Sequence, residues 1–85
     1  MTLRLRAGVA TTATDYGAVL LDERSGAFWQ LNPTAALAVS RLSAGDTPEQ
    51  AAAALAAEFE IGPEQALEDV QALVEDLRAA GLVGP

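Results

Sequence analysis

The sequence has no cysteine, no histidine and no lysine. The first two absences exclude a thiolate nucleophile, a disulfide, a zinc cluster and an imidazole base. The third leaves five arginines as the only basic side chains against twelve acids, for a net charge of −7. An acidic surface of this kind repels phosphate backbones and anionic lipids, keeps a small protein soluble, and suits neutral or basic partners. Aromatics are scarce: two Phe, one Trp and one Tyr. No apolar run approaches the roughly 20 residues a membrane helix needs. The opening residues, Met1 to Arg6, lead into no apolar signal core, so the expected location is the cytoplasm.

What is present is one small domain. A chain of 85 residues buries only about 60–65% of the surface its unfolded form exposes. Half the residues are apolar, but many of those are alanine, which adds little burial. Phe28, Trp29, Phe59 and the Leu, Val and Ile residues are therefore expected to carry the core.

Residues 1–8 read as a loosely held N-terminal arm, residues 9–31 as strands and residues 33–80 as helices. Val9 to Thr14 is rich in valine and threonine, Ala18 to Leu21 is a short apolar run, and Ala27 to Leu31 is a third run carrying two aromatics. Asp15-Tyr16-Gly17 and Glu23-Arg24-Ser25-Gly26 have turn chemistry, because Gly accepts positive φ and Asp or Ser bonds its own backbone. Two tight turns joining three runs predict an antiparallel meander. From Asn32 onward the signals are helical. Asn32 is a good N-cap with Pro33 at the first helical position. Ala44-Gly45 should end that helix. Thr47-Pro48-Glu49-Gln50 is a capping box that opens a second. Gly62-Pro63 opens a third, which should run to Ala80 and stop on Gly81. Leu67, Val70, Leu73, Val74 and Leu77 form its apolar stripe.

The meander makes Ala27–Leu31 an edge strand. Edge strands are normally blunted by charge, proline or a bulge, yet Ala-Phe-Trp-Gln-Leu contains no charge and no proline. Phe28 and Trp29 are adjacent, so they leave the strand on opposite sides and one of them should be accessible. An unblunted edge beside an exposed aromatic suits the addition of a peptide strand.

These residues carry a resemblance. Gly17-Ala-Val-Leu-Leu-Asp22, then Ser25-Gly26-Ala-Phe-Trp-Gln-Leu-Asn-Pro-Thr-Ala-Ala36, is similar to the PqqD-type peptide chaperones, also called RiPP precursor peptide recognition elements. Thr47-Pro48-Glu49, Phe59 with its acidic neighbours, and Leu77-Arg78-Ala-Ala-Gly-Leu-Val83 fit the same pattern, so the likeness spans about residues 9–83. The resemblance implies an α+β, winged helix-turn-helix-like fold of three antiparallel strands followed by three helices. It also implies capture of the leader segment of a ribosomally made precursor peptide, added as a strand to the third β-strand against the third helix. The binding residues it implies are Ala27, Phe28, Trp29, Gln30 and Leu31 on one side and Val70, Leu73, Val74 and Leu77 on the other. At least half of those four helix residues are expected to be core. Arg78 is a candidate partner for a leader carboxylate.

In size the chain most resembles the stand-alone leader-binding protein of lasso-peptide pathways. The partners this implies are a leader peptidase of the cysteine-protease class and a cyclase, with no cofactor, no metal and no catalysis by the chain itself. The protein is expected as a monomer or weak dimer. Other classes fit less well. A DNA-binding reading of the helices fails because residues 63–80 hold five acids and one arginine. A carrier-protein reading lacks an Asp-Ser-Leu site, since the serines sit in Arg-Ser-Gly, Val-Ser-Arg and Leu-Ser-Ala. An enzyme would need a convergent acid–base pair, and none clusters. The alternative that stays open is a small interaction or regulatory domain of the same fold with another protein partner.

Overall fold

Short-range chemistry accounts for where each element begins and ends. In the computed structural model, which describes residues 3–84, β1 (Val9–Thr14) turns through Asp15 and Tyr16 into β2 (Gly17–Asp22). Gly17 has φ +139°, and a Cβ placed there would lie 1.9 Å from the Leu31 carbonyl oxygen, so only glycine fits. The second turn is held by the Asp22 carboxylate, which accepts from the Arg24 N–H at 3.0 Å. The Gly26 N–H donates to the Asp22 carbonyl at 2.8 Å, with Gly26 at φ +78°. β3 (Phe28–Leu31) follows, and the sheet order is β1-β2-β3, all antiparallel.

Asn32 then caps α1 (Pro33–Ser43), its side chain accepting from the Ala35 N–H at 2.8 Å. Thr47 and Gln50 form the expected reciprocal box at the start of α2 (Pro48–Phe59), with bonds of 3.1 and 2.9 Å. α3 (Pro63–Ala79) ends with Ala80 as its cap and Gly81 at φ +74°. There the Leu82 N–H reaches back to the Leu77 carbonyl and the Gly81 N–H to that of Arg78, the double bond pattern of a glycine-terminated helix.

The result is the expected α+β arrangement, a three-stranded antiparallel sheet followed by three helices. Its winged helix-turn-helix likeness is an analogy. One sheet face packs on the helices: Ala18, Leu20 and Asp22 point inward from β2, and Trp29 and Leu31 from β3. The core lies between this face and Ala38, Val39 and Leu42 of α1, Ala51, Ala52 and Leu55 of α2, and Ala66, Val70, Val74 and Leu77 of α3.

Two expectations are corrected. The aromatics do not carry the core: Phe28 is 63% exposed, Phe59 is 38% exposed and Trp29 is half-buried. Alanines at the helix contacts let the helices approach closely, and aliphatic side chains fill what space remains. Leu20, Leu42, Leu55, Val70 and Leu82 are the large fully buried residues. Nor is the arm loose over residues 3–8. Leu3 is buried, Leu5 pairs with Val83, and the Arg6 N–H donates to the Leu82 carbonyl at 2.8 Å. Arg6 Nη2 meets Asp22 Oδ2 at 2.6 Å, and its Nε donates to the Gly81 carbonyl at 2.8 Å. One guanidinium thereby joins the N-terminal segment, the end of β2 and the C-terminus of α3. Met1 and Thr2 lie outside the described residues.

Candidate functional site

The geometry of β3 follows from its register. The Asp22 N–H donates to the Ala27 carbonyl at 2.9 Å, and Leu20 lies opposite Trp29 and Ala18 opposite Leu31. In an antiparallel pair, bonded and non-bonded positions alternate. Trp29 and Leu31 therefore direct their N–H and C=O groups at β2. Phe28 and Gln30, opposite Leu21 and Val19, direct theirs at the open edge. That edge offers two donors and two acceptors in the spacing a further strand requires.

Beside the edge lies an apolar groove. Trp29, Gln30, Leu31, Asn32 and Ala35 form one wall and Leu73, Asp76, Leu77 and Ala80 of α3 the other, around a depression of about 260 Å³. It continues past the end of β3 into a second depression of about 300 Å³, where Ala38, Leu55, Asp69 and Ala72 join Asn32, Ala35, Leu73 and Asp76. A larger depression of about 540 Å³ lies by the β1–β2 turn and shares Gln30, Leu31 and Asn32 with the groove. It is lined by turn residues such as Thr14 and Tyr16, away from α3.

The residues anticipated from sequence divide into three groups. Trp29, Gln30, Leu31, Leu73 and Leu77 line the groove. Phe28 contributes backbone to the open edge, while its ring stands on the sheet face away from the helices, in a row with Ala10 and Leu21. The remaining three lie elsewhere. Ala27 precedes β3, and its carbonyl is taken by Asp22. Val70 is wholly buried in the core. Val74 faces the opposite side of α3, near Pro48, Gln71, Glu75 and Arg78, so Arg78 does not line the groove.

Asn32, Ala35, Asp76 and Ala80 were not anticipated. The α3 wall runs Leu73, Asp76, Leu77, Ala80 at helical spacing, and reading the apolar stripe across to its charged flank would have found it.

The Asp22 carboxyl is held below its usual range, chiefly by the Arg24 backbone N–H and further by Arg6 and Ser25, with burial opposing. These partners engage it in turn and arm structure. Among the described residues, no group of three or more acids is placed to hold a metal, and no helix is long and apolar enough to cross a membrane.

Comparison with known proteins agrees with this architecture. A solved structure described as lasso peptide synthetase B1 complexed with the leader peptide is 46% identical, covers 100% of both chains and superposes with a TM-score of 0.90. A second, TbiB1 in complex with the TbiA(beta) leader peptide, shares the fold with a TM-score of 0.82 at 22% identity, covering 94% of this chain and 93% of that one. No curated protein matches in sequence. Residues 17–83 match the family described as Coenzyme PQQ synthesis protein D (PqqD). With its meander, edge strand and three helices in that order, the chain belongs to the PqqD family.

Proposed function

We propose that this protein captures the leader segment of a ribosomally made precursor peptide. The leader adds as a strand to β3, lies against α3, and is presented to a leader peptidase and a cyclase of a lasso-peptide pathway. The observation that carries this reading is the free edge at Phe28 and Gln30 running beside the groove of Trp29, Leu73 and Leu77. Its support from outside the chain is the 46%-identical structure, which holds a leader peptide. The chain itself is non-catalytic in this reading and works in the cytoplasm as a monomer or weak dimer. Holding the leader raises the effective concentration of the attached substrate at the enzymes that process it.

A titration tests the reading. A fluorescein-labelled leader segment of a lasso-peptide precursor, taken from beside this gene where one is encoded there, is followed by anisotropy as the protein is added. Saturable binding at micromolar concentration or tighter is the expected result. An absence of binding to that leader and to leaders of similar gene clusters overturns the reading and favours another protein partner for the same groove.

A further inference from the structure

The charged side chains that line the groove are all of one sign. Asp76 lies where the two depressions meet, and Asp69 lines the second. They are seven residues apart on α3, two turns along one face with Leu73 between them. Neither depression is lined by a basic residue. Arg6 and Arg41 are held by Asp22 and Asp46 at 2.6 Å. Arg24 folds over Gly8, Arg78 stands on the other side of α3, and Arg4 belongs to the N-terminal segment, its carbonyl accepting from the Gly84 N–H. The groove's β3 end also reaches Ala80, the C-terminal cap of α3, where the helix dipole adds partial negative charge. Two separate sources thus give the α3 wall a negative potential, within a chain whose net charge is already −7.

We propose that the segment this groove accepts carries a lysine or arginine at the position lying against Asp76, where the peptide leaves strand pairing and enters the second depression. The inference rests on the leader-binding reading of the groove and adds the charge of the occupant. It reverses the expectation of a leader carboxylate paired with Arg78. Apolar side chains of the added strand fill the space beside Trp29 and Leu77. The cation then fixes register, because a shift of one residue would turn it to the opposite face of the strand, away from the carboxylate.

The test uses a random 14-residue peptide library displayed on mRNA and selected on the full chain, on Asp76→Asn and on Gln30→Pro. Asp76 is exposed, so its isosteric replacement leaves the fold intact, as circular dichroism will verify. Gln30→Pro removes an edge N–H without touching the bonds to β2. The expected result is enrichment on the full chain of peptides with Lys or Arg at one fixed spacing from an apolar pair. That preference is lost on Asp76→Asn, and all enrichment is lost on Gln30→Pro. A labelled peptide from the selection should bind Asp76→Asn about two- to fivefold more weakly, as befits an exposed ion pair, and the difference should shrink in high salt. Enrichment that needs the Gln30 edge but shows no basic preference, or the same preference on Asp76→Asn, overturns this inference and leaves the leader-binding reading standing. Failure to enrich any peptide, or enrichment indifferent to Gln30→Pro, overturns both.

Discussion

Phe28 and Trp29 are consecutive in β3 and stand on opposite faces of the sheet, Phe28 63% exposed on the free face and Trp29 half-buried toward the helices. Their side chains therefore have different work, although their backbones share one edge strand. Trp29→Ala should weaken leader binding about tenfold or more, the loss typical of a central aromatic anchor. Phe28→Ala should change it by less than about twofold and lower stability only by the loss of a cross-strand pair with Leu21, under about 1 kcal/mol. Anisotropy titrations of both variants, with thermal melts, separate the two roles.

Proline substitution distinguishes the bonded from the free positions of β3. Gln30→Pro removes an N–H that faces the open edge, a place where strands tolerate proline. Its Tm should fall by less than about 8 °C, equivalent to about 1 kcal/mol in a domain of this size, while leader binding is lost. Trp29→Pro deletes a donor to β2 and should unfold much of the domain. Circular dichroism melts alongside the binding assay check both.

Gly17→Ala should be among the most damaging single changes on the surface. The added methyl would overlap the Leu31 carbonyl oxygen, in a backbone conformation with φ +139° that alanine avoids. A loss of about 2–3 kcal/mol is expected, which corresponds to a Tm drop of roughly 10–20 °C. Denaturant unfolding measures it, and an unchanged midpoint would contradict the turn geometry.

The dependence of stability on pH should carry a contribution from Asp22. Its carboxyl is held below the ordinary value by the Arg24 N–H first, then by Arg6 and Ser25. A depressed folded-state pKa contributes stability that is present above the unfolded value, near 4. That stability is lost as the pH falls through the folded value. The native chain should therefore melt above Asp22→Asn at pH 7, and the gap should close as the pH drops below about 4. A gap independent of pH would assign the role of Asp22 to shape alone.

The local signals proved legible because their causes are local. Asn32-Pro33 and the Thr47–Gln50 box bond within four residues, so composition at those positions was enough to place the helix starts. The positive-φ glycines of the two sheet turns were legible for the same reason. The pairing of Leu5 with Val83 and the reach of Arg6 to Asp22 and Gly81 were not, because no local pattern records a contact across most of the chain. The stripe on α3 showed which residues are apolar, but two neighbours compete for it, the core and the groove. Only packing sends Val70 and Val74 away from the groove and leaves Leu73 and Leu77 lining it. The small core is not legible from residue size: alanines occupy the close helix contacts, Phe28 and Phe59 stand exposed, and Trp29 is half-buried and lines the groove.

Strand addition at β3 is tested most directly by amide hydrogen exchange, read by NMR with and without saturating leader. Trp29 and Leu31 already donate to β2 and should change little. Phe28 and Gln30, whose amides face the open edge, should slow by about tenfold or more when the leader binds, as new ladder bonds form. A bound leader that leaves the exchange of Phe28 and Gln30 unchanged would contradict strand addition and place the peptide elsewhere on the protein.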